Sequence, residues 1–241
     1  MKTNSKVLII MVAMIFVASS SISFANGIND IKKENRKVSD FNQINMSIPA
    51  DVYLTQGAKN EVIIEADEDV LAKIETEVRE NELDIKFEKW YNYRGTKQIK
   101  VYITVKEINK LVLAGSGDII SKSTIKSEKL KMVITGSGSI LIDDLYVKEV
   151  HANISGSGDI RIASKEKAME LDATITGSGN ITASDLEFEK ADLVITGSGT
   201  IEANVIDELD ATITGSGRIY YKGKPLIDAN VTGSGKIRTN N

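Results

Sequence analysis

The stretch Leu171-Asp172-Ala173-Thr174-Ile175-Thr176-Gly177-Ser178-Gly179-Asn180-Ile181 decides the fold. Leu171, Ala173 and Ile175 alternate with polar Asp172 and Thr174, so this segment is a strand with one buried face. Gly177-Ser178-Gly179 then turns the chain where positive φ is expected, and Ile181 resumes the apolar pattern. The same arrangement recurs with first glycines at Gly115, Gly136, Gly156, Gly177, Gly197, Gly215 and Gly233, spaced by 21, 20, 21, 20, 18 and 18 residues. Two residues before each stand Leu113, Ile134, Ile154, Ile175, Ile195, Ile213 and Val231. Two residues after the second glycine stand Ile119, Ile140, Ile160, Ile181, Ile201, Ile219 and Ile237. A fixed period near 20 with no helical pattern marks a solenoid of strands. The predicted fold is therefore all-β, a right-handed parallel β-helix in which like residues of successive coils stack about 4.8 Å apart.

Residues 111–241 form the array of seven repeats, and residues 26–110 read as an N-terminal β-rich cap with the first coils. Solenoid ends expose unpaired strand edges and an open core, so a cap is needed. Within that region residues 41–47, 52–55, 61–65 and 98–105 read as strands. Asp67 is expected to cap a short helix with Val70, Leu71 and Ile74 on its apolar face, and 75–79 with 83–87 to form a hairpin turning at Glu80-Asn81.

Residues 1–25 have a different composition. Lys2 and Lys6 precede an apolar run from Val7 to Ala18, and small residues follow up to Ala25. This is the pattern of a secretory signal peptide cleaved after Ala25; the run is too short to span a bilayer. With no cysteine in the 241 residues, lipoprotein processing is excluded. The mature chain is expected to be exported, to the periplasm, cell surface or extracellular space, with no stable membrane insertion and no C-terminal barrel. A net charge of −4 leaves no basic stripe for nucleic acid.

Phe41-Asn42-Gln43-Ile44, Asp51-Val52-Tyr53-Leu54-Thr55-Gln56-Gly57, Glu65-Ala66-Asp67 and the Gly-Ser-Gly-Asp-Ile runs at Gly115 and Gly156 resemble the head GIN domain family of putative autotransporter adhesins. The resemblance covers nearly the whole mature chain. It implies a bacterial, envelope-associated or secreted β-helix, and it brings no catalytic residues.

Three groups of residues are candidate sites. The loop carrying Trp90, Tyr91 and Tyr93 holds the only tryptophan; it offers a stacking surface for sugars or, in the favoured reading, a plug for the open end of the core. Asp172, Asp192, Asp210 and Asp228 lie five residues before successive corners, preceded at the same position by His151, Lys131 and Lys110. Alternation turns them outward, where screened carboxylates are the simpler reading and a divalent-cation or cationic-partner stripe the sharper one. The position after each Gly-Ser-Gly holds aspartate only at Asp118 and Asp159, too few for a calcium roll. The serine of every corner repeats, whereas a catalytic serine is singular and has a base; lone His151 supplies none. No cofactor is expected.

The expected function is a non-enzymatic envelope binding module, with a glycan or surface protein as partner. A polysaccharide-binding or polysaccharide-degrading enzyme is the first alternative, since such enzymes gather acidic residues in a groove. A structural spacer without ligand is the second.

Overall fold

A computed structural model describes residues 31–95 and 98–240; the expected leader lies outside them. The chain opens with β1 (Ile31–Arg36), β2 (Gln43–Met46), β3 (Ala50–Gln56) and β4 (Glu61–Asp67). One helical turn, α1 (Glu68–Leu71), leads into β5 (Ile74–Arg79), β6 (Glu82–Phe87) and β7 (Ile99–Val105). The repeats supply β8 (Lys110–Gly115), β9 (Asp118–Ser121), β10 (Ile125–Gly136), β11 (Ser139–Ile142), β12 (Leu145–Gly156) and β13 (Asp159–Ala163). They continue through β14 (Ala168–Gly177), β15 (Asn180–Gly197) and β16 (Thr200–Gly215). The last coil is β17 (Arg218–Lys222), β18 (Leu226–Gly233) and β19 (Lys236–Thr239).

These strands build a parallel β-solenoid. Pairing is in register from coil to coil: Ile134 lies against Ile154, Ile154 against Ile175, and Gly136 against Gly156. After the corner, Ile140 lies against Ile160, Ile160 against Ile181 and Ile181 against Ile201. Both aliphatic columns are interior, and no polar or charged residue is buried among the described residues. We call the strands leading into the Gly-Ser-Gly corners the pre-corner face and those leaving them the post-corner face.

The corners stack as tightly as the strands. The first glycine of each has positive φ, +134° at Gly156. A Cβ there would lie 2.3 Å from the Gly136 carbonyl oxygen, and one on Gly158 2.4 Å from that of Gly138. Only a glycine fits so close over the carbonyl beneath it. The intervening serine amide extends the backbone ladder around the turn: Ser157 donates to Gly136 O at 2.9 Å and Ser178 to Gly156 O at 2.8 Å.

The N-terminal region is woven differently. On the pre-corner side β2 runs parallel between β6 and β8, and on the post-corner side β3 runs parallel between β7 and β9. The coil that comes first in the chain is thus the second in space, inserted between one made by β6 and β7 and the first repeat. Parallel stacking ends there: β4 runs antiparallel to β7, β1 antiparallel to β4, and β5 antiparallel to β6. This is the expected cap. The hairpin turns at Glu80 and Asn81, both at positive φ. The expected helix is shorter than its apolar pattern: Ile74 opens β5, and Asp67 makes no side-chain cap hydrogen bond.

Polar clamps lock the inserted coil. Gln56 Nε2 donates to the carbonyls of Lys106 (3.0 Å) and Lys126 (3.1 Å), while its Oε1 accepts from Lys126 N (2.6 Å). Asn60 Nδ2 donates to Phe41 O (2.7 Å), and its Oδ1 accepts from Lys106 N (3.1 Å). Each side chain satisfies backbone groups that strand pairing leaves over.

Candidate functional site

The post-corner face carries an unbroken outward row that crosses both regions. Tyr102, Tyr53, Ile120, Leu141, Arg161, Thr182, Glu202, Tyr220 and Arg238 stand side by side on neighbouring strands. Eight steps of about 4.8 Å make it roughly 38 Å long. They point outward because their neighbours in sequence, among them Val101, Val52, Ile119, Ile140, Ile160 and Ile181, are buried.

At its N-terminal end Tyr53 and Tyr102 stack with ring centroids 5.3 Å apart. Lys33 Nζ sits 4.9 Å from the Tyr102 ring and Lys122 Nζ 5.0 Å from the Tyr53 ring, so both outer faces hold a cation. Tyr102 donates its hydroxyl to Glu65 (3.0 Å), which also pairs with Lys33 (3.1 Å). The hydrogen bond from Lys33 holds the Glu65 carboxyl below the usual carboxylate range. A groove of about 330 Å³ lies between Tyr53, Tyr102, Thr104 and Lys122. Beside this stack, burial followed by the nearby Asp118 carboxylate pushes Asp51 up, and the Gln98 amide donates to it.

Further along, a shallow groove of about 580 Å³ runs between Leu141, Arg161, Asn180, Glu202, Arg218 and Tyr220. Asp118 and Asp159 lie on this face and are used to join coils: Asp118 accepts from Ser139 N (3.0 Å) and Asp159 from Asn180 Nδ2 (2.7 Å).

The aspartate row sits on the pre-corner face in the expected register. Lys110, Lys131, His151, Asp172, Asp192, Asp210 and Asp228 occupy consecutive strands. His151 Nδ1 meets Asp172 Oδ2 at 3.0 Å, while its Nε2 is buried without a hydrogen-bond partner. Partial burial, then the flanking Asp172, Asp210 and Glu170 charges, raise Asp192 above the usual range. The four carboxylates are strung in line, and among the described residues no three His, Cys, Asp or Glu side chains converge to hold a metal ion.

The aromatic loop divides. Tyr93 stacks on Phe87 (5.4 Å) and packs against the core, and Tyr91 tilts against Phe87 at 5.1 Å, so both rings turn back onto Phe87. Trp90 does not. It is 90% exposed at φ +73°, with Lys89 Nζ 5.2 Å from its ring. The positive φ carries its side chain away from the core that receives its neighbours. The sequence reading missed the Tyr53–Tyr102 pair because 49 positions separate the two residues; the signal available was a tyrosine at an outward strand position in both segments.

A stacked parallel solenoid with a glycine corner in each repeat and broad outward faces defines the class of parallel β-solenoid proteins. Residues 40–225 match the family described as "Putative auto-transporter adhesin, head GIN domain", and the chain belongs to that family. Its fold is similar to that of a putative adhesin from Bacteroides fragilis, 26% identical over 88% of this chain and 98% of that one, with a TM-score of 0.83. A putative lipid binding protein from Parabacteroides distasonis is 25% identical over 88% and 97% (TM-score 0.73). A putative adhesin from Parabacteroides merdae, 22% identical over 88% and 96%, shares the fold (TM-score 0.71). No curated protein matches the chain.

Proposed function

We propose that this chain is an exported, non-enzymatic envelope module that holds a glycan or a surface protein along its post-corner face. The observation that carries this reading is the outward row from Tyr102 to Arg238, where two shallow grooves flank a strip that changes from aromatic to polar. Shallow, extended, mixed-polarity surfaces suit chain-like or protein partners better than small molecules, which favour enclosed pockets. Family membership supports adhesion as the role.

Enzyme chemistry finds little to work with among the described residues. The corner serines are hydrogen-bonded through their amides in a ladder, and His151 faces an aspartate. In the residues described, no helix is long and apolar enough to cross a membrane.

The test is an array of glycans and envelope proteins probed with the mature chain and with Leu141→Glu/Thr182→Glu, both at outward positions. Binding by the parent that the variant loses is the expected result. A hit unaffected by the variant moves the site elsewhere, with Trp90→Ala as the next probe. No hit at all favours the spacer, and turnover in a depolymerisation screen favours the polysaccharide enzyme.

A further inference from the structure

The last coil differs from the rest of the array in charge. Residues 139–217 hold fifteen acidic and five basic side chains, a net of −10. Residues 218–241 hold Arg218, Lys222, Lys224, Lys236 and Arg238 against Asp228 alone, a net of +4. Basic residues within the array mostly have a carboxylate partner, as in Lys129–Glu149 (3.2 Å), Lys148–Glu128 (2.6 Å) and Lys190–Glu208 (2.7 Å). In the last coil only Lys222 reaches one, Asp185 at 3.8 Å; among the described residues Arg218, Lys224, Lys236 and Arg238 have no ion pair. Arg218 lies beside Lys236, with Arg238 two residues further along the same strand, so these three cations are clustered, while Lys224 stands in the turn between β17 and β18.

The same coil gathers exposed aliphatic surface. Leu226 is 79% exposed, Ile227 44% and Val231 41%, while among the described residues the other large exposed apolar side chains, Ile31, Trp90 and Met169, stand elsewhere in the chain. Ile227 and Val231 continue the interior columns of Leu209 and Ile213, and Leu226 continues an outward row behind Glu208.

We propose that this coil is a docking plate for the surface of an anionic lipid bilayer. Clustered unpaired cations are drawn to anionic headgroups, and exposed aliphatic side chains beside them enter the headgroup boundary. Tyr220, on the outward register, flanks the plate with a ring suited to that layer. Insertion is shallow, because the outer backbone edges of β18 and β19 hold N–H and C=O groups that cannot enter hydrocarbon unpaired. The solenoid then stands end-on with its long faces free up to the last coil, where the plate takes over the end of the post-corner row. Two such plates face to face would set +4 against +4, which disfavours a second copy as the occupant. This goes beyond the adhesion reading, and its test needs no adhesion partner.

The experiment is co-sedimentation of the mature chain with vesicles of phosphatidylcholine and phosphatidylglycerol in equal parts, and with vesicles of phosphatidylcholine alone. Binding to the mixed vesicles only, weakening with added salt, is expected. Lys224→Gln/Lys236→Gln should lower affinity about 30-fold, and Leu226→Ser several-fold. Lys148→Gln/Lys165→Gln, in the acidic part of the array, should leave it unchanged, and thermal melts confirm that each variant is folded. Three results overturn the proposal: equal binding to neutral vesicles, no binding to either kind, or mixed-vesicle binding insensitive to the Lys224/Lys236 pair. A dimer in light scattering that Leu226→Ser abolishes, without vesicle binding, would assign the plate to a second copy.

Discussion

The capped N-terminal region and the repeat array use the same coil, stacked by different means. In the array each strand lies against one about 20 residues away, and every coil repeats the same two aliphatic positions and the same glycine corner. In the N-terminal region β2 touches β6 and β8, about 40 and 67 residues away, and the join is held by side chains found once, Gln56 and Asn60. Stability in the array is therefore close to a sum over neighbouring coils. The interleaved coil forms only when three distant segments meet, so it behaves as one cooperative unit.

Four substitutions break or sharpen this contrast, taken from the largest effect down. Ile44→Ala empties a fully buried position in the inserted β2 and should cost about 4 kcal/mol. Denaturant unfolding should show that loss, with hydrogen exchange accelerated in all of β2, β3, β6, β7 and β8 together. Protection in these strands that stays unequal would break the idea of a single unit. Gly156→Ala sets a Cβ against the Gly136 carbonyl at φ +134° and should cost about 3 kcal/mol. Faster exchange should appear in the coils next to that corner and leave β2 and β3 protected. Gln56→Ala removes three backbone contacts at the solvent-facing edge and should cost about 1 kcal/mol by thermal or chemical unfolding.

The smallest effect concerns charge. Asp192 is raised in the folded chain, so it takes up a proton more readily there than when unfolded. Its favourable contribution is complete below the carboxylate's unfolded value and disappears as pH rises through the folded one. Asp192→Asn should therefore raise the melting temperature slightly at neutral pH, and the gain should vanish in acid. A gain of equal size at both ends of the titration would contradict the aspartate row as a source of repulsion.

The same contrast separates what the sequence shows from what it hides. The solenoid, its interior columns and the outward register of Asp172 to Asp228 were legible because each repeat restates one period-two pattern around one glycine pair. The order of the first coils was not, since alternation in 41–47 or 83–87 says which residues face inward and nothing about which strand lies alongside. The Tyr53–Tyr102 stack follows from that hidden order. The arrangement of the aromatic loop was legible only in part: Phe87 draws in Tyr91 and Tyr93, whereas Trp90 is turned away by a backbone angle that composition does not reveal. Val231 occupies the same position in the pattern as Ile213, yet the first is exposed and the second buried, because exposure in a stack depends on having a neighbour on both sides.

The spacing of the glycine corners has one more consequence. Between β15 and β16 the offset is 20 residues at Asn180 and Thr200, 17 at Glu187 and Asn204, and 18 at Gly197 and Gly215. The chain loses residues midway round the coil and returns to step at the corner, which acts as a metronome for the winding. Coil length is thus free to drift while height per coil is not. Duplicating or deleting one unit would lengthen or shorten the rod by a single rung of about 4.8 Å, giving this architecture an adjustable reach.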